Sequence, residues 1–389
     1  MPASPSNSKL PDIGWYVHLP FCTTKCGYCD FYSLPTIPAM VGDLVEALRR
    51  EMEHRDPGRN VKTIFVGGGT PTVLPAEALE AVLRGILRHT GSVEEFTVEA
   101  NPSSTDELKL GLLRRFGVNR VSFGAQSFYE DELRVLERIH DPRHIFESVA
   151  EARRAGFDNI NLDLIYAIPG QTLDRWRETL RRAIDLGTEH LSCYGLMYEP
   201  NTSLTRLRHQ GRIVAADEDL EAEMFELTID ELVGAGFEHY EISNFARPGR
   251  RCQANVTYWE NREYLGVGPS AVSYLGGVRS KNVPDVRKYV SGMLGGDDVI
   301  VESERLDSPA RAGETAIQML RLIDGIDEGR FRAQTGFDAR ELFAEKISEL
   351  SGLGLLDVAG DRIRLSRSGL LVANRVMAEF LGDGFVANR

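Results

Sequence analysis

Three of the five cysteines fall within eight residues. They are Cys22, Cys26 and Cys29, in the run Pro20-Phe21-Cys22-Thr23-Thr24-Lys25-Cys26-Gly27-Tyr28-Cys29-Asp30-Phe31. The spacing is C-x3-C-x2-C. Three thiolates on one short loop hold three irons of a [4Fe–4S] cube and leave the fourth iron open to a ligand. A structural zinc site adds a fourth Cys or His at similar spacing, and none follows Cys29 within a few residues. His18 precedes the loop but falls in a predicted strand, where packing or a hydrogen bond is expected of it. The bland alternative is three buried, unliganded thiols, against which the clustering speaks. Cys193 and Cys252 lie far away. Five cysteines are an odd count and a poor disulfide framework.

Other polar residues fall just after short apolar runs. Gly67-Gly68-Gly69-Thr70-Pro71-Thr72 offers bare backbone N–H and C=O groups to a closely held ligand, although alone it also reads as a tight turn. Glu99, Gln126, Arg138 and Asp163 follow in Val98-Glu99-Ala100-Asn101-Pro102, Ala125-Gln126-Ser127, Glu137-Arg138-Ile139-His140 and Leu162-Asp163-Leu164. Singly, each is a salt bridge or a cap as readily as a ligand contact. Together they could line one cavity. Glu99 and Asp163 accept hydrogen bonds from hydroxyls, and Arg138 pairs a carboxylate bidentately.

The elements that must position them alternate regularly. Strands are predicted at 14–19, 63–66, 95–99, 120–123, 160–165 and 190–195. Helices are predicted at about 39–54, 75–89, 105–115, 129–155 with breaks, 172–186 and 217–235. Six successive βα units predict an α/β fold, a partial (β/α)6 TIM-like barrel over residues 13–243. A doubly wound sheet is the competing architecture. In the barrel reading the cysteine loop is the first βα loop, at the strand ends where such barrels carry their sites. Residues 1–12 read as a loose tail. Residues 244–306 read as a loop-dominated connector. Residues 307–389 read as a mostly helical, winged-helix-like domain with a hairpin at 355–365 and a final helix at about 368–381.

Composition removes several function classes. The 389-residue chain carries 45 Lys+Arg against 58 Asp+Glu, a net charge of −13. That excludes a general nucleic-acid binder and a polyanionic membrane surface as the main partner. From Asp338 to Arg389 there are seven Lys/Arg and eight Asp/Glu, so the winged tail lacks a DNA-binding footprint. With neither a long apolar run nor a basic, apolar leader, the expected compartment is the cytoplasm.

The C-x3-C-x2-C loop after a first barrel strand resembles the radical S-adenosylmethionine (SAM) superfamily. The likeness implies that SAM chelates the open iron and that a reduced cluster cleaves it to a 5′-deoxyadenosyl radical. The longer pattern resembles the coproporphyrinogen-III-oxidase-like branch. It runs through Tyr16-Val17-His18-Leu19-Pro20-Phe21-Cys22, GGGTPT, VEANP, Gln126-Ser127-Phe128 and Arg138-Ile139-His140-Asp141-Pro142. It continues through Asp163-Leu164-Ile165-Tyr166, Tyr240-Glu241-Ile242-Ser243-Asn244-Phe245 and Tyr264-Leu265-Gly266-Val267-Gly268-Pro269. The resemblance assigns Tyr16, Gly68, Glu99, Gln126, Arg138 and Asp163 to SAM. Some members of the branch hold a second SAM, for which Tyr28, Gly69 and Thr70 are candidates.

Within the branch, the oxidases carry a fourth cysteine two residues after the third, and here that position is Phe31. The sequence is thus similar to the HemW-type haem chaperones. Those carry H-N-x-x-Y-W, with a haem-binding His; here the segment is Ala254-Asn255-Val256-Thr257-Tyr258-Trp259. Val272 replaces the His of G-P-x-A-H-S, and no histidine follows His239. The candidate haem region is therefore Cys252, Asn255, Tyr258 and Trp259, with Cys252 either a thiolate ligand or a plain buried cysteine. Three readings follow: a haem-trafficking protein passing haem to an acceptor protein, a radical methyltransferase or tetrapyrrole-modifying enzyme, and a non-catalytic iron–sulfur scaffold. The implied cofactors are the [4Fe–4S] cluster, SAM and haem. The implied electron donor is a reduced flavodoxin or ferredoxin. No catalytic residue is assigned.

Overall fold

The computed structural model describes residues 11–91 and 93–381, so most of the expected N-terminal tail lies outside the described residues. Six parallel strands follow the expected rhythm: β1 (Ile13–Leu19), β2 (Val61–Gly68), β3 (Glu95–Ala100), β4 (Arg120–Gln126), β5 (Ile160–Tyr166) and β6 (His190–Gly195). They pair in chain order. Strands paired strictly in that order are those of a barrel; a doubly wound sheet reverses direction at a switch point.

Helices cover the outer face. The helix Pro38–Arg55 starts on a proline and buries Val41, Leu44, Leu48 and Met52, one stripe at helical spacing. The helix Pro142–Arg154 opens with a capping box in which the Asp141 and His144 side chains answer each other's backbone. The helix Leu173–Asp185 buries Trp176, whose indole N–H donates to Thr228 Oγ1 at 2.9 Å on the helix Glu218–Gly234. Each anchors one βα unit on the apolar outer side of the strands.

The segment expected as a loop-dominated connector is a correction. It adds a seventh parallel strand, Tyr264–Val267, beside β1, and three antiparallel strands at Val272–Leu275, Val278–Asn282 and Ile300–Glu304 beyond it. On the opposite edge Asn244–Ala246 and Glu238–Glu241 extend the sheet from β6. The strands are short, which hid them. The turn signal was present: Gly276-Gly277 sit at φ 58° and 73° between Val272–Leu275 and Val278–Asn282, the backbone a two-residue hairpin demands.

The C-terminal domain has its own core around Phe331, Leu350, Ile363, Val376 and Phe380. Its hairpin pairs Leu356–Ala359 with Arg362–Leu365, as expected, and Ile326–Asp327 adds a third strand. The expected final helix is broken at Val372 into Arg367–Leu371 and Ala373–Ala378. The domain is tied to the barrel through backbone. Ile242 N–H donates to the Arg321 carbonyl at 3.1 Å, and Ile323 N–H to the Tyr240 carbonyl at 3.1 Å. No helix among the described residues is long and apolar enough to cross a membrane.

Candidate functional site

The cysteine loop is pinned at both ends. Phe21–Cys22 pairs in parallel with Leu34–Pro35, and Thr36 N–H donates to the Cys22 carbonyl at 2.9 Å. Between them Cys29 N–H turns back onto the Cys26 carbonyl at 3.2 Å. All three cysteines are half-buried and none is in a disulfide. Each sulfur has a polar neighbour. Thr70 Oγ1 donates to Cys22 Sγ at 3.7 Å, Ser33 Oγ lies 3.8 Å from Cys29 Sγ, and Arg138 Nη1 donates to Cys26 Sγ at 3.3 Å. Burial pushes the Cys22 and Cys29 thiols up, toward the protonated form. Iron reverses that preference, because a coordinated thiol is deprotonated.

Among the described residues, no group of three or more His, Cys, Asp or Glu side chains is arranged to hold a single metal ion. A cube makes a different demand, since each thiolate binds its own iron and the sulfurs stand apart. The donor set fits that demand: three accessible thiols, each facing a hydroxyl or guanidinium of the kind that tunes a cluster.

The glycine loop is built by close approach. Gly69 N–H donates to the Leu19 carbonyl at 2.8 Å and Thr70 N–H to the Phe21 carbonyl at 2.7 Å, which docks the loop against the cysteine loop. A Cβ on Gly69 would stand 2.5 Å from the Phe21 carbonyl oxygen, and one on Gly67 would stand 2.5 Å from the Glu99 carboxylate. Gly68 has φ 98°, which favours glycine.

Around this loop the strand ends bring the expected residues together. Glu99 accepts the Gly68 N–H at 3.0 Å. Burial, reinforced by the Asp163 charge, pushes the Glu99 carboxyl up to about 8. Burial also raises Asp163, against which Asn161 Nδ2 at 2.8 Å and Ser122 Oγ at 3.2 Å donate to its carboxylate. Arg138 Nη2 donates to the Gly124 carbonyl at 2.7 Å, which aims Nη1 at Cys26, while its Nε is buried without a partner. Gln126 ends β4 at φ 63°, a left-handed backbone that is strained for a non-glycine and concentrates at functional sites. Tyr16 Oη lies 3.0 Å from His18 Nδ1, and His18 Nε2 lies 2.9 Å from the Tyr32 carbonyl. Both ring nitrogens are thus engaged, and burial lowers His18 to about 4, so it is a neutral structural residue as expected. Tyr28 packs among Leu136, Ile168, Leu196 and Leu204 beside the loop.

The candidate haem region lies elsewhere. Cys252 is 1% exposed and its thiol donates to Glu95 Oε1 at 3.4 Å. The same carboxylate accepts Gln253 N–H at 3.0 Å and Ala254 N–H at 3.1 Å, anchoring the helix Gln253–Trp259. Glu95 begins β3, so this anchor sits at the end of the barrel opposite the cysteines. Of the two readings of Cys252, this geometry favours the plain buried cysteine. It is sealed in with Tyr240, Ala246 and Ala254, and burial holds its thiol up at about 12. Asn255 Nδ2 reaches Tyr240 Oη at 3.5 Å, Tyr258 packs edge-on against Tyr264, and Arg321 stacks over Trp259 at 4.3 Å. The segment thus pins the C-terminal domain to the barrel wall.

Sequence reasoning missed the polar barrel interior. Arg120, Ser122, Asn161, His190 and Tyr240 are buried there. His190 bridges Asn161 Oδ1 at 2.6 Å and Tyr240 Oη at 2.9 Å. The signal was polar residues at every second position of Arg-Val-Ser, Asn-Leu-Asp and His-Leu-Ser. A parallel strand buried against apolar layers on both faces reads as a continuous apolar run instead.

Comparison with known proteins agrees with this geometry. The Radical SAM superfamily model matches residues 16–183, and the HemN C-terminal domain model matches residues 306–372. The superfamily match implies a [4Fe–4S] cluster and SAM. The heme chaperone HemW of Bacillus subtilis is 36% identical over 376 residues, covering 95% of this chain and 99% of the relative. HemW of Escherichia coli K12 is 33% identical over 391 residues, covering 96% of this chain and 100% of the relative. The solved structure of coproporphyrinogen III oxidase (HemN) from Escherichia coli, a radical SAM enzyme, superposes with a TM-score of 0.83 at 26% identity. That match covers 95% of this chain and 90% of the oxidase. Three thiols at the mouth of a barrel, a glycine loop docked on them and end-to-end likeness at this level place the chain in the HemW heme-chaperone family of the radical SAM superfamily.

Proposed function

We propose that this chain binds haem and passes it to an acceptor protein, with a [4Fe–4S] cluster on Cys22, Cys26 and Cys29 and SAM at the barrel mouth. The observation that carries the reading is Phe31, 69% exposed where an oxidase of the branch carries a fourth cysteine. When bound, the reduced cluster supplies one electron to SAM. The chain's own part is positioning. Arg138 orients the SAM carboxylate and donates to Cys26, and Gly68, Gly69 and Thr70 offer the methionine amino group a backbone cradle. Glu99 and Asp163 accept from ribose hydroxyls, while Tyr16 and Gln126 close the sides. Tyr28, Gly69 and Thr70 are the residues for a second SAM. A flavodoxin- or ferredoxin-type protein is the electron donor.

Ala254 is 3% exposed and stands where the family motif carries its haem-binding His, so that position offers haem no ligand. The test is haem titration of the anaerobically reconstituted protein, alone and with SAM. A saturable Soret shift, unchanged in Cys252→Ala, is expected. No Soret shift in either state overturns the reading. A Cys22/Cys26/Cys29→Ala triple variant that kept full cluster absorbance would overturn the cluster site.

The complete SAM constellation supports a second reading, a radical methyltransferase or tetrapyrrole-modifying enzyme. It predicts 5′-deoxyadenosine together with a modified substrate after incubation with SAM and dithionite. A protein that binds haem and releases no 5′-deoxyadenosine excludes it.

A further inference from the structure

The surface beside the cysteine loop reverses the sign of the molecule. Residues 200–216 hold three arginines, Arg206, Arg208 and Arg212, and no Asp or Glu, in a chain of net charge −13. All three arginines are exposed. Among the described residues none of them forms an ion pair. Arg206 Nη1 donates to the Asn201 carbonyl at 3.2 Å, and Arg208 lies over the Tyr198 ring at 4.4 Å, so their charges stay free.

The fold sets this segment against the cysteine loop. Leu204 N–H donates to the Gly27 carbonyl at 2.9 Å, between Cys26 and Cys29. The Ser203 hydroxyl lies 3.3 Å from that carbonyl and 3.1 Å from the Glu137 carboxylate. Leu196, Leu204 and Ile213 pack in one apolar cluster with Tyr28 of the loop. The helix Ser203–His209 is seven residues long, so Arg206 and Arg208 lie within about 10 Å of Gly27 along its axis. Lys25, exposed on the loop itself, adds a fourth cation and donates to the Phe31 carbonyl at 3.1 Å. Two large apolar side chains stand beside these cations: Phe31, 69% exposed, and Met197, 65% exposed, which follows Leu196. Arginine with exposed aromatic and methionine side chains is the composition of a protein interface.

We infer that Lys25, Arg206, Arg208 and Arg212 form the docking face for a flavodoxin-type electron carrier, a small acidic protein that presents the apolar edge of its flavin at the surface. The inference rests on the cluster reading above. Carboxylates of the carrier meet the four cations, and the flavin edge meets Phe31 and Met197. One electron leaves the anionic flavin hydroquinone, which becomes the neutral semiquinone, and reduces the cluster; no bond forms or breaks. The acidic remainder of the chain repels such a partner, so the basic face selects the orientation that brings the flavin to the cysteine loop.

The test is calorimetry of oxidised flavodoxin with the reconstituted full-length protein. Wild type should bind it with an affinity that falls as salt rises. The combined variant Arg206→Glu, Arg208→Glu, Arg212→Glu should bind about 10- to 100-fold more weakly and respond less to salt. Its cluster absorbance and its reduction by dithionite, which needs no docking, should match wild type. A control, Arg115→Glu, Arg181→Glu, Arg287→Glu, makes the same charge change at three other exposed positions and should bind as wild type does. Equal losses in the two variants overturn the docking face, because net charge alone then sets the affinity. Unchanged affinity in the first variant overturns it too. Binding of a ferredoxin or of phosphatidylglycerol vesicles in place of flavodoxin overturns the choice of partner. A cluster that dithionite reduces in a protein that binds no flavodoxin overturns the docking face and leaves the cluster reading intact. If wild type assembles no cluster, both fall together.

Discussion

Arg138 donates one guanidinium nitrogen to Cys26 Sγ at 3.3 Å and the other to the Gly124 carbonyl at 2.7 Å. One side chain thereby fixes a thiol of the cysteine loop to β4, from 112 positions further along the chain. An N–H donor to a cluster sulfur disperses charge on the reduced state and raises the reduction potential. Arg138→Gln should assemble the cluster, lower its potential and weaken SAM binding about 10- to 100-fold. An EPR-monitored redox titration and calorimetry read the two effects. An unchanged potential would show that the contact has no influence on the cluster.

Gly69→Ala places a methyl group against two backbone carbonyls that have no room to move, those of Leu19 and Phe21. The cost should be about 1–3 kcal/mol, the range for overpacking. The distortion acts on the strand pair that holds Cys22, so iron content should fall with stability. Iron assay and thermal melts check it; full iron content with an unchanged melt would refute the close-packing argument.

Glu99 keeps its proton up to about 8 because burial and the neighbouring Asp163 disfavour its charge. The unfolded chain loses that proton in the ordinary carboxyl range. This group therefore favours the fold below that range, and its contribution drains away as pH rises toward about 8. Glu99→Gln stays neutral throughout. The stability of the variant relative to wild type should rise between pH 5 and 8, by up to about 1.4 kcal/mol per pH unit, and level off above. Denaturant melts of the cluster-free proteins read this directly, and a difference that falls with pH would contradict the assignment.

Cys252→Ala removes a donor to Glu95 and a few buried atoms. A loss of about 1–2 kcal/mol is expected. Cluster absorbance, SAM affinity and any haem spectrum should stay as in wild type. Loss of a Soret band with the fold intact would restore Cys252 as a ligand.

The cluster loop was legible because its information is local. Three cysteines and their spacing lie within eight residues, and a loop that short brings them to one place in any fold. The six βα units were legible for a similar reason, since apolar periodicity acts over a few residues. The strands between residues 244 and 304 were not. They are three to five residues long, too short to show a period, and form only by adding to edges that the rest of the sheet supplies.

The fate of Cys252 shows the limit most clearly. Next to the segment that aligns with a haem-binding motif, it reads in the sequence as either a ligand or a plain buried cysteine. Only the fold brings it to Glu95, 157 residues away, at the far end of the barrel. Arg120 shows the converse: its alternation with Ser122 was written in the sequence, but only closure of the barrel buried it, at 2% exposure, in one polar interior with Asn161, His190 and Tyr240. Sequence alone determined which thiols are grouped to share a cluster, because thiolate chemistry and loop spacing are local. Tertiary structure decided which polar groups are exposed to a ligand and which are sealed away, because burial depends on strands that meet only when the chain is folded.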